Sequence, residues 1–266
     1  MNYQVYYPST PLRQFVEAYY VLECTSHTYK TQCTIPTGHP AVVFQYGNTT
    51  PTIEGHFGTL HCRSYISGVL YHPVYNKNPG VYKALLIFLQ PLAAYYLFTV
   101  PQPSYVNQFV PLEDIIGASA QTMEAQLLQA HSNRECVRLV EAFLSGYAQE
   151  VERKIPLLEA ATSYIETDSG NIHIHRLCAK CGCSQRTIER YFQQYLGVTP
   201  KRYARLVRLQ RVYEFMKPST PPDYSEIAYR LGFYDHAHLI NEFKAFHGIT
   251  PHSLNSDSLQ IIQSFL

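Results

Sequence analysis

Histidine and cysteine are concentrated in one short stretch of the sequence, HIHRLCAKCGC, residues 173–183. It holds two histidines and three cysteines within eleven residues. Imidazole nitrogens and thiolates are the ligands that zinc prefers, and low-pKa thiols can act as a redox switch. Free cysteine also packs as a small apolar side chain. The choice between a metal site, a thiol switch and ordinary packing therefore depends on the elements around this stretch.

A repeat connects this stretch with a second segment further along the chain. Residues 177–183, LCAKCGC, align with residues 227–233, IAYRLGF, at an offset of 50. A second pair of blocks follows at an offset of 51, and it comprises Phe192 with residues 197–200, and Phe243 with residues 248–251. Two ordered blocks with matched glycine and apolar positions indicate an internal duplication. One residue is inserted in the second copy.

Each copy of the repeat predicts a helix, a short turn and a second helix. In the first copy, Gly182 stands where a helix ends in a left-handed residue, and Ser184 is a typical N-cap. In the second copy, Gly232 occupies the turn, and Asp223 with Glu226 forms a capping box. Apolar residues recur at helical spacing, as at Ile174, Leu177, Cys178 and Cys181. This pattern is typical of a helix-turn-helix, present twice.

These units define a helical C-terminal domain over residues 171–254. We place the first helix-turn-helix at about 172–196 and the second at about 224–247. Thr199-Pro200 is an N-cap followed by proline at the first helical position, so a linker helix is predicted over about 200–216. A C-terminal tail takes residues 255–266.

The alignment of the two copies indicates what the cysteines do. Three pairs of positions correspond: Cys178 and Ala228, Cys181 and Leu231, Cys183 and Phe233. A structural zinc site needs four converging ligands, whereas the second copy has only apolar side chains at these positions. We therefore expect the cysteines to pack as apolar residues, with no metal or other cofactor bound. His173 and His175 are expected to be solvated at the start of their helix.

The second helix of a helix-turn-helix enters the major groove of DNA and contacts base edges near its N-terminus. Arginine can bind guanine, glutamine adenine, and glutamate the cytosine amino group. The candidate reading residues of the first copy are Gln185, Arg186, Thr187, Glu189 and Arg190. Those of the second copy are Asp235, His236, Ala237, His238 and Asn241. Because the second set carries no lysine or arginine, we expect it to contribute less affinity.

The linker helix supplies further cations. We expect Lys201, Arg202 and Arg205 to contact phosphates, with Arg208 and Arg211 as further candidates, although Arg208 is also placed to pair inside the domain. Such contacts set affinity and its salt dependence rather than sequence choice. About 17 helical residues span roughly 25 Å, which is compatible with two reading helices about one DNA turn apart.

Charge supports the same assignment. Residues 1–170 contain 9 Lys and Arg against 13 Asp and Glu, whereas residues 171–254 contain 12 against 6. The net charge of +1 for the whole chain thus conceals a basic C-terminal block beside an acidic N-terminal one. We expect only the basic block to contact a polyanion, although charge alone fits a merely well-solvated domain equally well.

The N-terminal part, residues 1–150, predicts strands followed by helices. The apolar runs VEAYYVLEC, AVVFQY and ALLIFL predict strands at 16–24, 41–46 and 84–89, and helical spacing begins near residue 119. The Pro- and Gly-bearing stretches 34–40, 47–58 and 72–80 are predicted as loops. Residues 151–170 are assigned to a linker with a short helix beginning at Pro156. The fold class is thus a strand-rich α+β domain followed by an all-α domain.

The C-terminal segments GCSQRTIERYF…GVTPKRYARLVRLQ and IAYRLGFYDHAHLINEFKAFHGITP resemble the AraC/XylS family of bacterial transcription regulators. The resemblance covers residues 172 to about 254. It implies two helix-turn-helix modules joined by a long helix, bound to promoter DNA through the second helix of each module. The chain has Asn241 where the family usually has arginine, so a strong contact is not expected there.

The N-terminal stretches YYPSTPLRQFVEAYYVLE, IPTGHPAVVFQYG, ALLIFLQPLAAYYLFTVP and FVPLEDIIG are similar to an uncharacterised domain found ahead of such DNA-binding units. By analogy, this domain senses a small-molecule effector, mediates homodimerisation, or does both. The partners implied are promoter DNA and RNA polymerase, with the regulator acting as an activator or as a repressor. The sequence assigns no effector-binding residues.

Other classes of function are less well supported. The main alternative is a thiol- or metal-responsive DNA-binding regulator that uses Cys178, Cys181 and Cys183. An enzyme is not expected, since no G-x-S-x-G, H-E-x-x-H or P-loop motif is present. No signal peptide is recognised, and the longest apolar stretch, residues 84–100, is too short and interrupted to span a bilayer. With an odd number of cysteines, seven, reduced thiols and a cytoplasmic protein are expected.

Overall fold

The computed structural model describes residues 2–24, 30–34, 38–47, 52–55, 58–70, 74–78, 82–99, 105–149, 155–216 and 222–254. The chain divides into two compact units. The first takes residues 1–34, 39–70 and 74–154, and the second takes the remainder, which is mainly residues 155–266. The predicted tail, 255–266, lies outside the described residues.

The first unit is built on two antiparallel sheets. Its strands are β1 (Asn2–Tyr6), β2 (Val16–Cys24), β3 (Lys30–Thr34), β4 (Ala41–Gly47), β5 (Thr52–Gly55), β6 (Gly58–His61), β7 (Ser64–Ser67), β8 (Val74–Asn78), β9 (Tyr82–Leu89) and β10 (Phe109–Pro111). Six strands form one sheet in the order β1-β2-β9-β4-β7-β10, and four form another in the order β3-β8-β5-β6. The three strands predicted from apolar runs are β2, β4 and β9, and they lie side by side in the larger sheet.

Helices cover one face of the six-stranded sheet. They are α1 (Ala93–Phe98), α2 (Glu113–Ile116), α3 (Ala118–Gln129) and α4 (Asn133–Gln149). Alternate residues of the central strands, including Tyr19, Val42 and Ile87, enter one buried cluster with Met123 and Val140 from the helices. Every second side chain of the strands faces the helices, and the apolar side chains at helical spacing on α3 and α4 face the strands. These two sets of side chains pack together and form the main core.

The opposite face of the same sheet is also apolar. Leu22 and Ala84 are buried there with Leu86 against them, in a cluster separate from the main core. The facing register pairs Ala84 with Gln45 and Leu86 with Val43. Because directly paired residues lie on the same face of a sheet, Gln45 lies beside Ala84 on this face, where its Nε2 donates to the Tyr65 hydroxyl at 3.5 Å. The sheet therefore has two buried faces, and each includes a buried polar residue, Ser64 on the helix-covered face and Gln45 on the other.

Two of the predicted loops contain strands. β5 falls at 52–55 and β8 at 74–78, so the loop prediction was wrong for those residues, and β6 begins at residue 58, the last of the predicted loop 47–58. Their sequences, TIEG, GTLH and VYNKN, have no apolar run. They form strands because they pair with one another and with β3, and such pairing cannot be recognised from local composition.

The second unit is helical. Its helices are α5 (Pro156–Thr167), α6 (Ile174–Cys181), α7 (Gln185–Leu196), α8 (Pro200–Phe215), α9 (Tyr224–Arg230) and α10 (His236–His247). Helix α5 begins at the predicted Pro156 and packs against α6, α7 and α8. Tyr203 on α8 donates a hydrogen bond to Glu166 on α5, 2.8 Å from oxygen to oxygen. Across the described residues of both units, none of the helices has the length and apolar character needed to cross a membrane.

Candidate DNA-binding surface

The two halves of the repeat fold into the same turn. Gly182 and Gly232 have φ values of 63° and 71°, which is the left-handed region that favours glycine. In the first half, the Cys183 amide donates to the Cys178 carbonyl at 3.1 Å, and the Phe233 amide donates to Ala228 at 2.9 Å in the second. The duplicated helix-turn-helix predicted from the sequence is confirmed at the level of single hydrogen bonds.

The second helix of each helix-turn-helix begins at a side-chain cap. Ser184 Oγ accepts from the Thr187 amide at 3.1 Å in α7, and Asp235 Oδ1 accepts from the His238 amide at 2.7 Å in α10. Both helices have 12 residues and end at a left-handed glycine. The caps satisfy amide groups that a helix N-terminus leaves without partners, so the residues after them are held in a defined orientation.

Helix α7 presents a polar edge opposite its buried face. Ile188, Phe192 and Leu196 are buried. The exposed side chains on the other side are Gln185, Arg186, Glu189 and Arg190. Among the described residues, neither arginine has a carboxylate partner, whereas the Gln185 amide donates to Glu189 at 2.8 Å. We refer to these four residues, with the half-buried Thr187, as the first reading edge.

The corresponding edge of α10, the second reading edge, has no lysine or arginine. His236, Ala237 and Asn241 are exposed. Asp235 is the helix cap, and His238 is engaged through both ring nitrogens. Its Nδ1 accepts from the Tyr234 amide at 3.2 Å, and its Nε2 lies 3.3 Å from Glu242. This edge can offer hydrogen bonds and apolar contact but not a cationic side chain.

Four of the five cations of linker helix α8 fall into two groups, and the fifth, Arg211, pairs with Glu214 on the same helix. Lys201 and Arg202 in the first turn are exposed. Arg205 and Arg208, further along, both pair with Glu242 of α10, at 3.1 and 3.5 Å. Arg208 also donates to the Gly232 carbonyl at 3.2 Å and lies over the ring of Phe233. Arg208 thus pairs inside the domain, as the sequence allowed, and so does Arg205.

Glu242 was not recognised in the sequence. It receives two arginines and a histidine, and its side chain is only 14% exposed. In the sequence it is one polar residue among several on a helix, and nothing local distinguishes it. A contact between α8 and α10 depends on tertiary packing, so its detection required the fold.

The three cysteines of the first helix-turn-helix differ in how deeply they are buried. Cys178 is buried, whereas Cys181 and Cys183 are half-buried. Burial, together with the nearby Cys183 thiol, raises the pKa of Cys178, and burial likewise raises the pKa of Cys181. Within the described part of the chain, no group of three or more His, Cys, Asp or Glu side chains is arranged to hold a metal ion.

Comparison with known families covers most of the chain in two parts. Residues 177–256 match the model of a helix-turn-helix domain, and residues 4–111 match a "Domain of unknown function (DUF6597)". The chain therefore carries an AraC-type helix-turn-helix domain after a domain of unknown function. No curated protein matches it in sequence.

Solved structures of ToxT from Vibrio cholerae have a similar fold. One crystal form is 11% identical with a TM-score of 0.53, covering 98% of this chain and 99% of that one. A structure of ToxT bound to an unsaturated fatty acid is 12% identical with a TM-score of 0.50, covering 94% and 93%. At this identity the likeness concerns the fold alone.

Proposed function

We propose that the protein binds promoter DNA sequence-specifically, with the first reading edge as its principal base-reading surface. The observation that carries the proposal is the state of Arg186 and Arg190. Both are exposed on the free side of a capped helix, and no described carboxylate neutralises them. An arginine without a carboxylate partner in the first half of such a helix is suited to a bidentate contact with guanine O6 and N7.

In this proposal the remaining cations and the second helix-turn-helix have supporting roles. Lys201 and Arg202, at the start of α8, neutralise phosphates. The second reading edge, Asp235, His236, Ala237, His238 and Asn241, adds neutral hydrogen bonds and contributes less to affinity. Arg205 contacts DNA only after exchanging Glu242 for a phosphate, so we assign it the smallest share of the three linker cations.

Selection of random duplex DNA by the full chain, followed by sequencing, tests the proposal. We expect a motif with two conserved blocks about one helical turn apart, with the stronger block changing when Arg186 is replaced. Enrichment should survive addition of a chelator. Failure of the full chain and of a fragment from residue 150 onward to enrich any sequence would overturn the proposal. Loss of enrichment in chelator would instead favour the metal-responsive alternative.

We further propose that the N-terminal unit responds to a small, mainly apolar molecule with one hydrogen-bonding group. Its support is the second face of the six-stranded sheet. There, Gln45 is buried, and its Oε1 has no hydrogen-bond partner. A buried amide oxygen without a partner costs free energy, and a ligand with a hydroxyl or amine group would remove that cost. ToxT, of similar fold, has been crystallised with an unsaturated fatty acid.

The effector proposal is tested on the full chain with two matched probes. Oleic acid and oleyl alcohol have the same chain length, but the alcohol is neutral and can donate to Gln45. We expect the alcohol to raise the melting temperature and to change DNA affinity. A Gln45→Leu variant should lose this response while retaining basal DNA binding. An equal response of parent and variant would contradict the assignment to this face.

The proposal extends to two protein partners. A promoter-bound regulator changes transcription by altering how RNA polymerase occupies the promoter, so we expect RNA polymerase to be one partner and activation to be the outcome. A second copy of the chain, joined through the N-terminal unit, is the other. Transcription in a purified system and sedimentation of the full chain test the two independently.

A further inference from the structure

The two helix-turn-helix units differ by one residue, and the structure locates it. The turns are the same as far as Cys183 and Phe233, whose amides close equivalent hydrogen bonds. The next residue is the helix cap Ser184 in the first unit, whereas in the second unit Tyr234 precedes the cap Asp235. The inserted residue is therefore Tyr234, immediately before the helix that carries the second reading edge.

Tyr234 is held in place by its backbone but not by its side chain. Its amide donates to His238 Nδ1 at 3.2 Å, which attaches it to the first turn of α10. Its side chain is almost fully exposed, at 92%, and among the described residues its hydroxyl has no hydrogen-bond partner. A large aromatic side chain that an ordered backbone holds out into solvent is accessible to a partner that approaches the start of α10.

The charges around α10 indicate what that partner requires. The second reading edge offers no lysine or arginine, and the nearest arginines, Arg205 and Arg208, are occupied by Glu242. At the start of this helix, attachment to the DNA backbone therefore relies on neutral donors, since the exposed Lys244 of α10 lies about two turns further along. A tyrosine hydroxyl is one of the side-chain donors that bind phosphate oxygens in protein–DNA complexes.

We propose that the Tyr234 hydroxyl donates a hydrogen bond to a DNA phosphate beside the groove that α10 enters, and so positions the second unit. This inference rests on the proposed DNA-binding function. It assigns the inserted residue a backbone-positioning role that the first unit, with its cationic edge, does not need. This contact, unlike one made by lysine or arginine, releases no counterion, so its loss leaves the salt dependence of binding unchanged.

The test uses the full chain and the duplex selected by the parent protein. Tyr234→Phe removes only the hydroxyl, and Tyr229→Phe is the control, because Tyr229 is also highly exposed, at 87%, on α9. We expect Tyr234→Phe to weaken binding about three- to tenfold on matched and mismatched duplexes alike. The slope of log affinity against log salt should not change. Tyr229→Phe should bind as the parent does.

A methylphosphonate scan of the duplex then identifies the phosphate. Neutralising the contacted phosphate should weaken the parent but not weaken Tyr234→Phe further. Parent-like binding by Tyr234→Phe, or loss confined to one base pair, would overturn the phosphate contact. Unchanged DNA binding with impaired activation would overturn it in favour of a protein partner. Absence of selective binding by the parent itself would remove the proposed function, and this inference with it.

Discussion

The Glu242 carboxylate of α10 lies 3.5 Å from the Arg208 guanidinium of α8, with both side chains only 14% exposed. Arg205 joins from one side at 3.1 Å, and His238 from the other at 3.3 Å. The pair connects the linker helix to the second reading helix. Because Arg208 also donates to Gly232 in the turn, it fixes the second unit's turn as well as its helix.

Replacing Glu242 by glutamine should therefore destabilise the packing of the second helix-turn-helix against α8. Removing one partner of a largely buried ion pair leaves the arginines uncompensated, and we expect a loss of about 2–4 kcal/mol in the free energy of unfolding. The control is Glu226→Gln, because Glu226 pairs with Arg230 and both side chains are more than half exposed, at 55% and 56%. That change should cost less than about 1 kcal/mol. Equal losses in urea unfolding would contradict the assigned role of Glu242.

Alanine at the two turn glycines should have unequal effects. Both have positive φ, which costs about 1 kcal/mol for alanine. A Cβ at Gly182 would meet nothing within 4 Å, whereas one at Gly232 would lie 2.4 Å from Asn171 Nδ2. We expect Gly232→Ala to lower the melting temperature at least twice as much as Gly182→Ala. An added Asn171→Ala change should recover part of the difference, and no recovery would argue against the clash.

Arg186→Ala should reduce affinity for the selected duplex at least tenfold and relax preference at one base pair, because a bidentate base contact is lost.

Lys201→Gln should weaken binding to all duplexes similarly and lower the slope of log affinity against log salt by about one. The matched control is Arg230→Gln on α9, whose guanidinium pairs with Glu226. Quantitative binding at several salt concentrations separates these cases. Loss of preference in the Lys201 variant would mean that phosphate and base contacts were assigned the wrong way round.

His247 should make the helical unit sensitive to acid. It is fully buried, with neither ring nitrogen hydrogen-bonded, against Tyr213 and Phe243. Burial lowers the pKa of His247 to about 3 from its ordinary value of 6.5. The unfolded chain therefore binds a proton that the folded chain does not, and stability falls as pH drops from 6.5 towards 3.

The measurement compares the parent with His247→Phe, which keeps an aromatic ring but cannot bind a proton. The free energy of unfolding of the variant, relative to that of the parent, should rise by about 1 kcal/mol for each pH unit below 6.5. Urea unfolding followed by far-ultraviolet circular dichroism at pH 7.5, 6 and 5 gives the difference. Parallel pH profiles would mean that His247 is protonated in the folded chain.

The three cysteines of the first helix-turn-helix should tolerate replacement by alanine without loss of fold or DNA binding. If they pack as apolar side chains, a variant with alanine at positions 178, 181 and 183 should retain its fold and bind the selected duplex within about threefold of the parent, since small buried volumes are lost. Binding of the parent should be unaffected by chelator or by mild oxidant. A parent response to either that disappears in the variant would establish the thiol or metal alternative.

The duplication and its helix boundaries were predicted from the sequence because their signals are local. Gly182, Gly232, Ser184 and the Thr199-Pro200 pair each act within one turn of the backbone. The exposed positions of the first reading edge followed from the same periodicity, since Ile188 and Phe192 define the buried side of α7. Strands β2, β4 and β9 were also predicted, because their long apolar runs are typical of strands buried on both faces.

The remaining features depended on the tertiary structure. Strands β5, β6 and β8 have weak local preference and form by pairing with one another. The occupation of Arg205 and Arg208 by Glu242, the unpartnered oxygen of Gln45 and the exposure of Tyr234 each require knowing which elements approach and which do not. The sequence by itself thus determined the repeat and its turns, because these follow from short-range chemistry. Only the tertiary structure decided which charges remain free to contact DNA, because pairing across helices is a property of packing.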